Sequence, residues 1–159
     1  MKILIVSDTH KSSRNLEQVI EREQPVDMLI HLGDVEGAED YIKALVDCPV
    51  HMVGGNNDFF SDLPREEEFL VEGRRIFITH GHYYYVSMGE DKLKEAARKR
   101  GADIVMYGHT HKPAYSAEQG LVTLNPGSIA YPRQMGRQAS YIMMELLEDE
   151  PPRVEIRYV

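Results

Sequence analysis

A single cysteine, Cys48, stands in a chain of 159 residues, which excludes an internal disulfide framework and fits a reducing cytoplasm. No apolar run approaches the ~20 residues of a membrane span, and the opening segment, Met1 to Asp8, is too short for a signal peptide. A cytoplasmic location is therefore expected. Basic residues are the minority, 18 against 26 acidic, and the formal net charge of −8 argues against a general nucleic-acid surface. Internal repeats, low-complexity stretches and linkers are also lacking. What remains, 42% hydrophobic and 28% charged residues, is the balance of one soluble domain, 1–159, able to bury a proper core.

Strand-like and helix-like segments alternate along the chain. The β-branched run 2–7 predicts a strand, and Leu16, Val19 and Ile20 at helical spacing predict a helix over 12–23, with Ser12 or Ser13 as cap and Pro25 as stop. Strands are then expected at 27–32 and 50–53, with a helix at 36–46 between them. A hairpin at 67–72 and 75–79 turns at Gly73. A helix over 90–100 ends at Gly101, and strands follow at 104–107, 121–124, 140–147 and 154–158. A β-α-β-α-β region followed by a strand-rich half places helices outside and sheets inside.

The chemistry sits where these strands end, the position at which an α/β sheet presents its ligand-binding groups. The richest block is Gly108-His109-Thr110-His111, whose two imidazoles can serve one metal ion or two neighbouring ions. Four other blocks follow apolar runs in the same way: Asp8-Thr9-His10, Gly33-Asp34, Gly54-Gly55-Asn56-Asn57-Asp58 and His80-Gly81-His82. Alone, Asp8 or Asp34 reads as a turn or helix-cap residue. Together the blocks form a mixed oxygen and nitrogen donor set without thiolate, which suits Mn, Fe, Co, Ni or Zn rather than Cu(I) or an iron–sulfur cluster. The donors suffice for two ions ~3.5–4 Å apart, an arrangement suited to phosphate chemistry.

The order D-x-H, G-D, G-N-x-D, H-G-H, G-H-T-H resembles the calcineurin-like metallophosphoesterases, most of all their small, cap-less, YfcE-like phosphodiesterase branch. Asn125-Pro126-Gly127-Ser128 and Pro132-Arg133 are similar to a later loop of that branch. The resemblance implies a four-layer α/β/β/α sandwich of two mixed β-sheets flanked by helices, with no cap domain. It implies two divalent ions, manganese first and Ni, Co, Fe, Zn or Mg as alternatives. Carried onto this chain, it gives Asp8, His10 and His111 to one ion and Asn56, His80 and His109 to the other, with Asp34 bridging. A hydroxide between the ions then attacks phosphorus in line on a small phosphate ester.

One position departs from the family pattern. Many relatives carry histidine directly after the ligand asparagine, where this chain has Asn57. An asparagine donates a hydrogen bond but cannot act as a general acid, so a bias toward phosphodiesters or good leaving groups is expected. Asp58 is expected to orient the loop or a ligand, and His82 to approach substrate or water. His31 and His51 read as packed or surface histidines, Cys48 as a small buried residue and Arg98-Lys99-Arg100 as helix-end cations. One or more of Tyr83, Tyr84 and Tyr85 is expected to pack. Residues 125–128 read equally as a turn and as a pocket wall, and Arg133 as a phosphate contact or an ion-pair partner. Two other functions stay open: a phosphomonoesterase or nucleotide phosphatase, and a catalytically weak protein-binding scaffold on the same fold. The resemblance also leaves room for a homo-oligomer.

Overall fold

The computed structural model describes residues 1–159. In chain order the elements are β1 (Lys2–Val6), α1 (Arg14–Glu23), β2 (Met28–His31), α2 (Glu39–Ala44), β3 (Val50–Met52), β4 (Glu66–Val71), β5 (Arg74–Thr79), α3 (Asp91–Lys99), β6 (Ile104–Met106), β7 (Pro113–Glu118), β8 (Leu121–Pro126), β9 (Ser140–Glu145) and β10 (Arg153–Tyr158). They form two mixed five-stranded sheets, ordered β10-β9-β1-β2-β3 and β4-β5-β6-β8-β7.

The layer order follows from side-chain alternation along the central strands. Successive side chains of a strand point to opposite faces, and here both faces are apolar. Ile3, Ile5, Ile30, Ile142 and Met144 of the first sheet meet Ile76, Ile78, Ile104 and Met106 of the second in one buried cluster. The alternate residues Leu4, Val6, Leu29, Tyr141 and Met143 face outward and are covered by Leu16, Val19 and Ile20 of α1 and Ile42 of α2. On the far side, Phe77 and Val105 are covered by Leu93 and Ala97 of α3. The result is helix, sheet, sheet, helix, the four-layer sandwich the resemblance implies.

Some boundaries differ from the sequence reading. Glu36 and Gly37 adopt φ of 50° and 88°, so α2 cannot begin before them and starts at Glu39. Ser13 precedes α1 without making a side-chain capping bond. Strand β7 was not expected, because Pro-Ala-Tyr-Ser-Ala-Glu shows weak hydrophobic alternation and opens on proline. It is an edge strand, where a leading proline is tolerated. Two-residue turns with both φ positive, Glu72-Gly73 (50°, 74°) and Gln119-Gly120 (49°, 78°), close the hairpins β4–β5 and β7–β8.

Strands β1, β2 and β3 run parallel, as do β5, β6 and β8. Their carboxyl ends therefore lie at one end of each sheet, and the loops leaving β1, β2, β3, β5 and β6 carry all five blocks.

Candidate metal centre

Each block starts one or two residues beyond the end of its strand, and the backbone there is unusual. Asp8, His10, Asp34, His109 and His111 have φ of 57°, 51°, 60°, 71° and 59°. Left-handed conformations are uncommon for residues other than glycine and gather at sites that the surrounding structure over-determines. The loops are held by a dense set of bonds. The Asp8 amide donates to Gly33 O (3.0 Å) and the His10 amide to Asp34 O (2.8 Å), so the β1 and β2 loops travel together. Asp58 accepts from three amides, those of Asp34 (2.8 Å), Glu36 (2.7 Å) and Gly55 (2.7 Å), and ties the β2 and β3 loops. The Ser128 hydroxyl donates to Asp8 O (2.8 Å), while Asn125 donates to Thr110 Oγ1 (2.9 Å). Residues 125–128 thus act as a brace behind the site.

Two glycines are required by close approach. A Cβ on Gly55 would lie 2.6 Å from Asp34 N and 2.8 Å from its Cγ. One on Gly108 would lie 2.8 Å from Asp8 Oδ2 and 3.0 Å from Ser7 Cβ.

All seven residues expected to hold metal come together. On one side His111 Nε2 is 3.2 Å from Asp8 Oδ1 and 3.2 Å from His10 Nε2. On the other, Asn56 Oδ1 is 3.0 Å from His80 Nε2 and 3.1 Å from His109 Nδ1. Asp34 Oδ2 lies between, 3.4 Å from His80 Nε2 and 3.9 Å from His10 Nε2.

The outer nitrogens set the tautomers. His80 Nδ1 donates to Leu32 O (2.6 Å), His111 Nδ1 to Tyr131 O (2.5 Å) and His10 Nδ1 to the Glu36 carboxylate (3.2 Å). An imidazole whose Nδ1 carries the proton turns a bare Nε2 toward the centre, the arrangement that metal-ligating histidines use. Two bare nitrogens 3.2 Å apart, on His10 and His111, repel each other unless a cation or proton lies between them. Asp8 Oδ1 is buried and has no hydrogen-bond partner, its other oxygen being occupied by Ser7 Oγ (2.5 Å) and the His109 amide (3.1 Å). The orphaned oxygen of Asp8, beside inward-facing amide and imidazole donors, fits a divalent cation in chemistry and in position. Two ligand groups, Asp8–His10–His111 and Asp8–Asp34–His80, have their donor atoms within 4.8 Å of one another.

The electrostatics agree. Burial opposes ionisation of Asp34, but the hydrogen bond and charge of His80 and two hydrogen bonds from Asn57 outweigh it, holding the carboxyl below the usual range. Burial likewise opposes ionisation of Asp8, and His111 and His80 outweigh it. Burial would strip the proton from His80, yet the adjacent Asp34 and Asp8 carboxylates raise it to about 8. Burial, then repulsion from His80, lowers His109.

The remaining expected residues fall into two kinds. Asn57 is turned inward: its amide and side chain donate to Asp34 at 2.9 and 3.1 Å. His82 stands beside the centre, its ring 5.5 Å from that of His80. Its Nδ1 is buried without a partner, and burial together with His80 and His109 holds it neutral, at about 4. His31, read as packed or surface, is fully buried and polar-bonded: it accepts from the Gly33 amide (3.1 Å) and meets Thr9 Oγ1 (3.1 Å). Its position two residues before Gly33 was the only signal. Glu36, Ser7 and Tyr131, which orient ligands, gave none. Tyr84 packs edge-on against Phe77, while Tyr83 and Tyr85 are exposed. His51 stacks on Phe69 and bonds Glu67, and Lys99 pairs with Glu95 at 3.1 Å. Cys48 is partly buried, against the helix-side cluster.

The model of the calcineurin-like phosphoesterase superfamily domain matches residues 1–149. A probable metallophosphoesterase of Bacillus subtilis (strain 168), YsnB, is 35% identical over 150 residues, covering 94% of this chain and 86% of the relative. The phosphodiesterase YfcE of Escherichia coli (strain K12) is 30% identical over 169 residues, covering 91% and 88%. A crystal structure of a predicted phosphoesterase from Streptococcus pneumoniae TIGR4 superposes with a TM-score of 0.86 at 31% identity, covering 99% of this chain and 88% of that one. No helix of this chain is long and apolar enough to cross a membrane.

Proposed function

The chain belongs to the calcineurin-like phosphoesterase superfamily, and we propose from that premise that it hydrolyses phosphodiesters at a dinuclear metal centre. The observation that carries this reading is the convergence of two donor sets, Asp8–His10–His111 and Asn56–His80–His109, on the two sides of Asp34. Two divalent ions held there would lower the pKa of a shared water and neutralise the phosphoryl oxygens. The rest is the work of the chain. Asp34 takes the bridging place because its carboxylate is held ionised and faces both sets. Leu32 O, Tyr131 O and Glu36 orient three of the imidazoles. Asp58 holds the backbone on which Asp34 stands. His82, neutral at working pH, offers a hydrogen bond to substrate or water and cannot serve as a charged acid. Asn57 grips Asp34 and brings no proton to a leaving group, which favours esters whose leaving group departs as a stable anion.

A phosphomonoesterase needs that proton more, and this separates it from the diesterase reading. Seven competent donors, three of them with fixed tautomers, favour an enzyme over a binding scaffold on the same fold. The test is to strip the protein of metal and restore Mn, Ni, Co, Mg and Zn separately, assaying bis(4-nitrophenyl) phosphate and 4-nitrophenyl phosphate. Diester turnover with at least one metal is expected, together with its loss in a folded Asp34→Asn variant. Hydrolysis of neither ester with any metal, or full activity in Asp34→Asn, would overturn the proposal.

A further inference from the structure

Beside the His10–His111 side of the centre lies a cleft of about 370 Å³ lined by His10, Lys11, Glu36, His111, Tyr131 and Arg133. Depressions of about 640 and 660 Å³ elsewhere contain none of the donor residues. The lining carries two cations and one carboxylate in a chain whose net charge is −8. Neither the Lys11 ammonium nor the Arg133 guanidinium has a hydrogen bond or ion pair, whereas Lys2, Lys94, Lys99, Arg100, Arg153 and Arg157 all pair with carboxylates. The one carboxylate of the cleft, Glu36, is already engaged with His10 Nδ1.

The wall is also fixed in place. Arg133 N donates to His111 O (3.0 Å), and His111 Nδ1 donates to Tyr131 O, so residues 131–133 are stitched to the ligand loop from both directions. The Ser128 hydroxyl accepts from the amides of Ala130 and Tyr131 at 3.1 and 2.7 Å. The Tyr131 ring meets the His10 ring edge-on (5.4 Å between centroids, 74°) and remains half exposed, leaving apolar surface open to a planar group. Arg133 also lies near enough to disfavour the charged form of His109. Exposed, unpaired cations beside an aromatic face are the chemistry of anion recognition, in which a guanidinium fork matches carboxylate or phosphate oxygens.

We propose that the cleft between Lys11, Tyr131 and Arg133 is a second-anion subsite, which selects phosphate esters whose arm on that side carries a ring and a further carboxylate or phosphate. This rests on the phosphoesterase reading for its account of the first phosphate. Lys11 and Arg133 supply the second contact, and Tyr131 the stacking surface.

The test is a calorimetric titration of the manganese-loaded protein with phenylphosphonate, 4-carboxyphenylphosphonate and 1,4-phenylenebisphosphonate. In the unaltered protein an added anion is expected to tighten binding on the order of tenfold, the scale of one charge-assisted contact. In Lys11→Gln/Arg133→Gln that gain should fall below twofold, while Arg133→Lys keeps part of it. A larger gain from the carboxylate, or from the second phosphonate, assigns the source of the anion. No gain in the unaltered protein, or an undiminished gain in the double variant, overturns the subsite. The phosphoesterase reading fails separately, through absent diester turnover with every metal, and the binding gain still decides the subsite.

Discussion

Asp58 touches no candidate metal position, yet three backbone amides converge on its carboxylate. Its Oδ2 accepts from Asp34 (2.8 Å) and Gly55 (2.7 Å), and its Oδ1 from Glu36 (2.7 Å). These bonds fix the left-handed turns at Asp34 and Glu36, with φ of 60° and 50°. A hydrogen bond to a charged acceptor contributes roughly 1.5–3 kcal/mol. The pocket is partly open and water would replace part of what is lost, so Asp58→Ala is expected to cost about 2–4 kcal/mol in all. Asp58→Asn should also be harmful, because in either orientation its NH2 group would face an amide donor, at best that of Glu36 alone. Both substitutions should weaken metal binding ~10–100-fold, the usual cost of removing a residue that orients ligands. Urea denaturation followed by far-UV circular dichroism reads the first effect and calorimetric manganese titration the second. Stability within about 0.5 kcal/mol of the parent and metal affinity within about twofold for Asp58→Ala would refute the reasoning, since ordinary surface substitutions lie in that range.

Gly108→Ala would drive a methyl group into Ser7 and the Asp8 carboxylate, so metal binding should fall by more than about tenfold while the sheets persist; manganese titration beside a circular dichroism spectrum checks both. Asn57→His should raise monoester turnover relative to diester turnover by supplying a proton donor, and an unchanged or lowered ratio would count against the leaving-group account. Glu23, buried beneath β9 and β10, accepts from Tyr141 (2.6 Å) and Arg157 (2.7 Å). Burial opposes its ionisation, but these partners and Lys2 prevail and lower its pKa. Its folded state therefore binds fewer protons than its unfolded state between the two values, and stability there rises with pH. Glu23→Gln should cost about 1–3 kcal/mol at pH 7. The gap to the parent should close as the pH falls below about 4.3, the ordinary glutamate value, and through the lowered folded value. Thermal denaturation across that range would contradict this if the gap stayed constant.

Much of the fold was legible because burial has a period. Ile3-Leu4-Ile5-Val6 is apolar on both faces, as a strand between two covered layers must be, and Leu16, Val19 and Ile20 mark a one-sided helix. What escaped was set by pairing partners and by backbone groups rather than by residue type. Strand β7 exists because β8 offers it a partner, and Ser116 and Ala117 carry no strong preference of their own. The donor residues were legible as a set because each follows an apolar run. The groups that aim them were not. Leu32 O and Tyr131 O orient His80 and His111 through backbone carbonyls, which every residue possesses and no motif records. Asn57 shows the opposite limit. That it cannot act as a general acid follows from residue type, but its grip on Asp34 required coordinates.

The left-handed turns at the ligand positions bear on what the metal does for the fold. Residues in sparsely populated backbone regions persist only when their surroundings outweigh the cost, of order 1 kcal/mol or more at each. Here protein groups supply those contacts: Asp58, Ser128 and the paired β1 and β2 loops bond the backbone of Asp8, His10 and Asp34, and the Arg133 amide bonds that of His111. A site braced in this way is expected to bind metal after folding, unlike a zinc finger, which folds around its metal. An ion bound there would instead stabilise an assembled state by mass action, about 2.7 kcal/mol at a hundred times its dissociation constant. Removing it should shift the melting midpoint by that kind of increment and leave the sheet signature of circular dichroism intact. A chelator that unfolded the chain outright would show that the two donor sets are gathered by the metal and not by the loops.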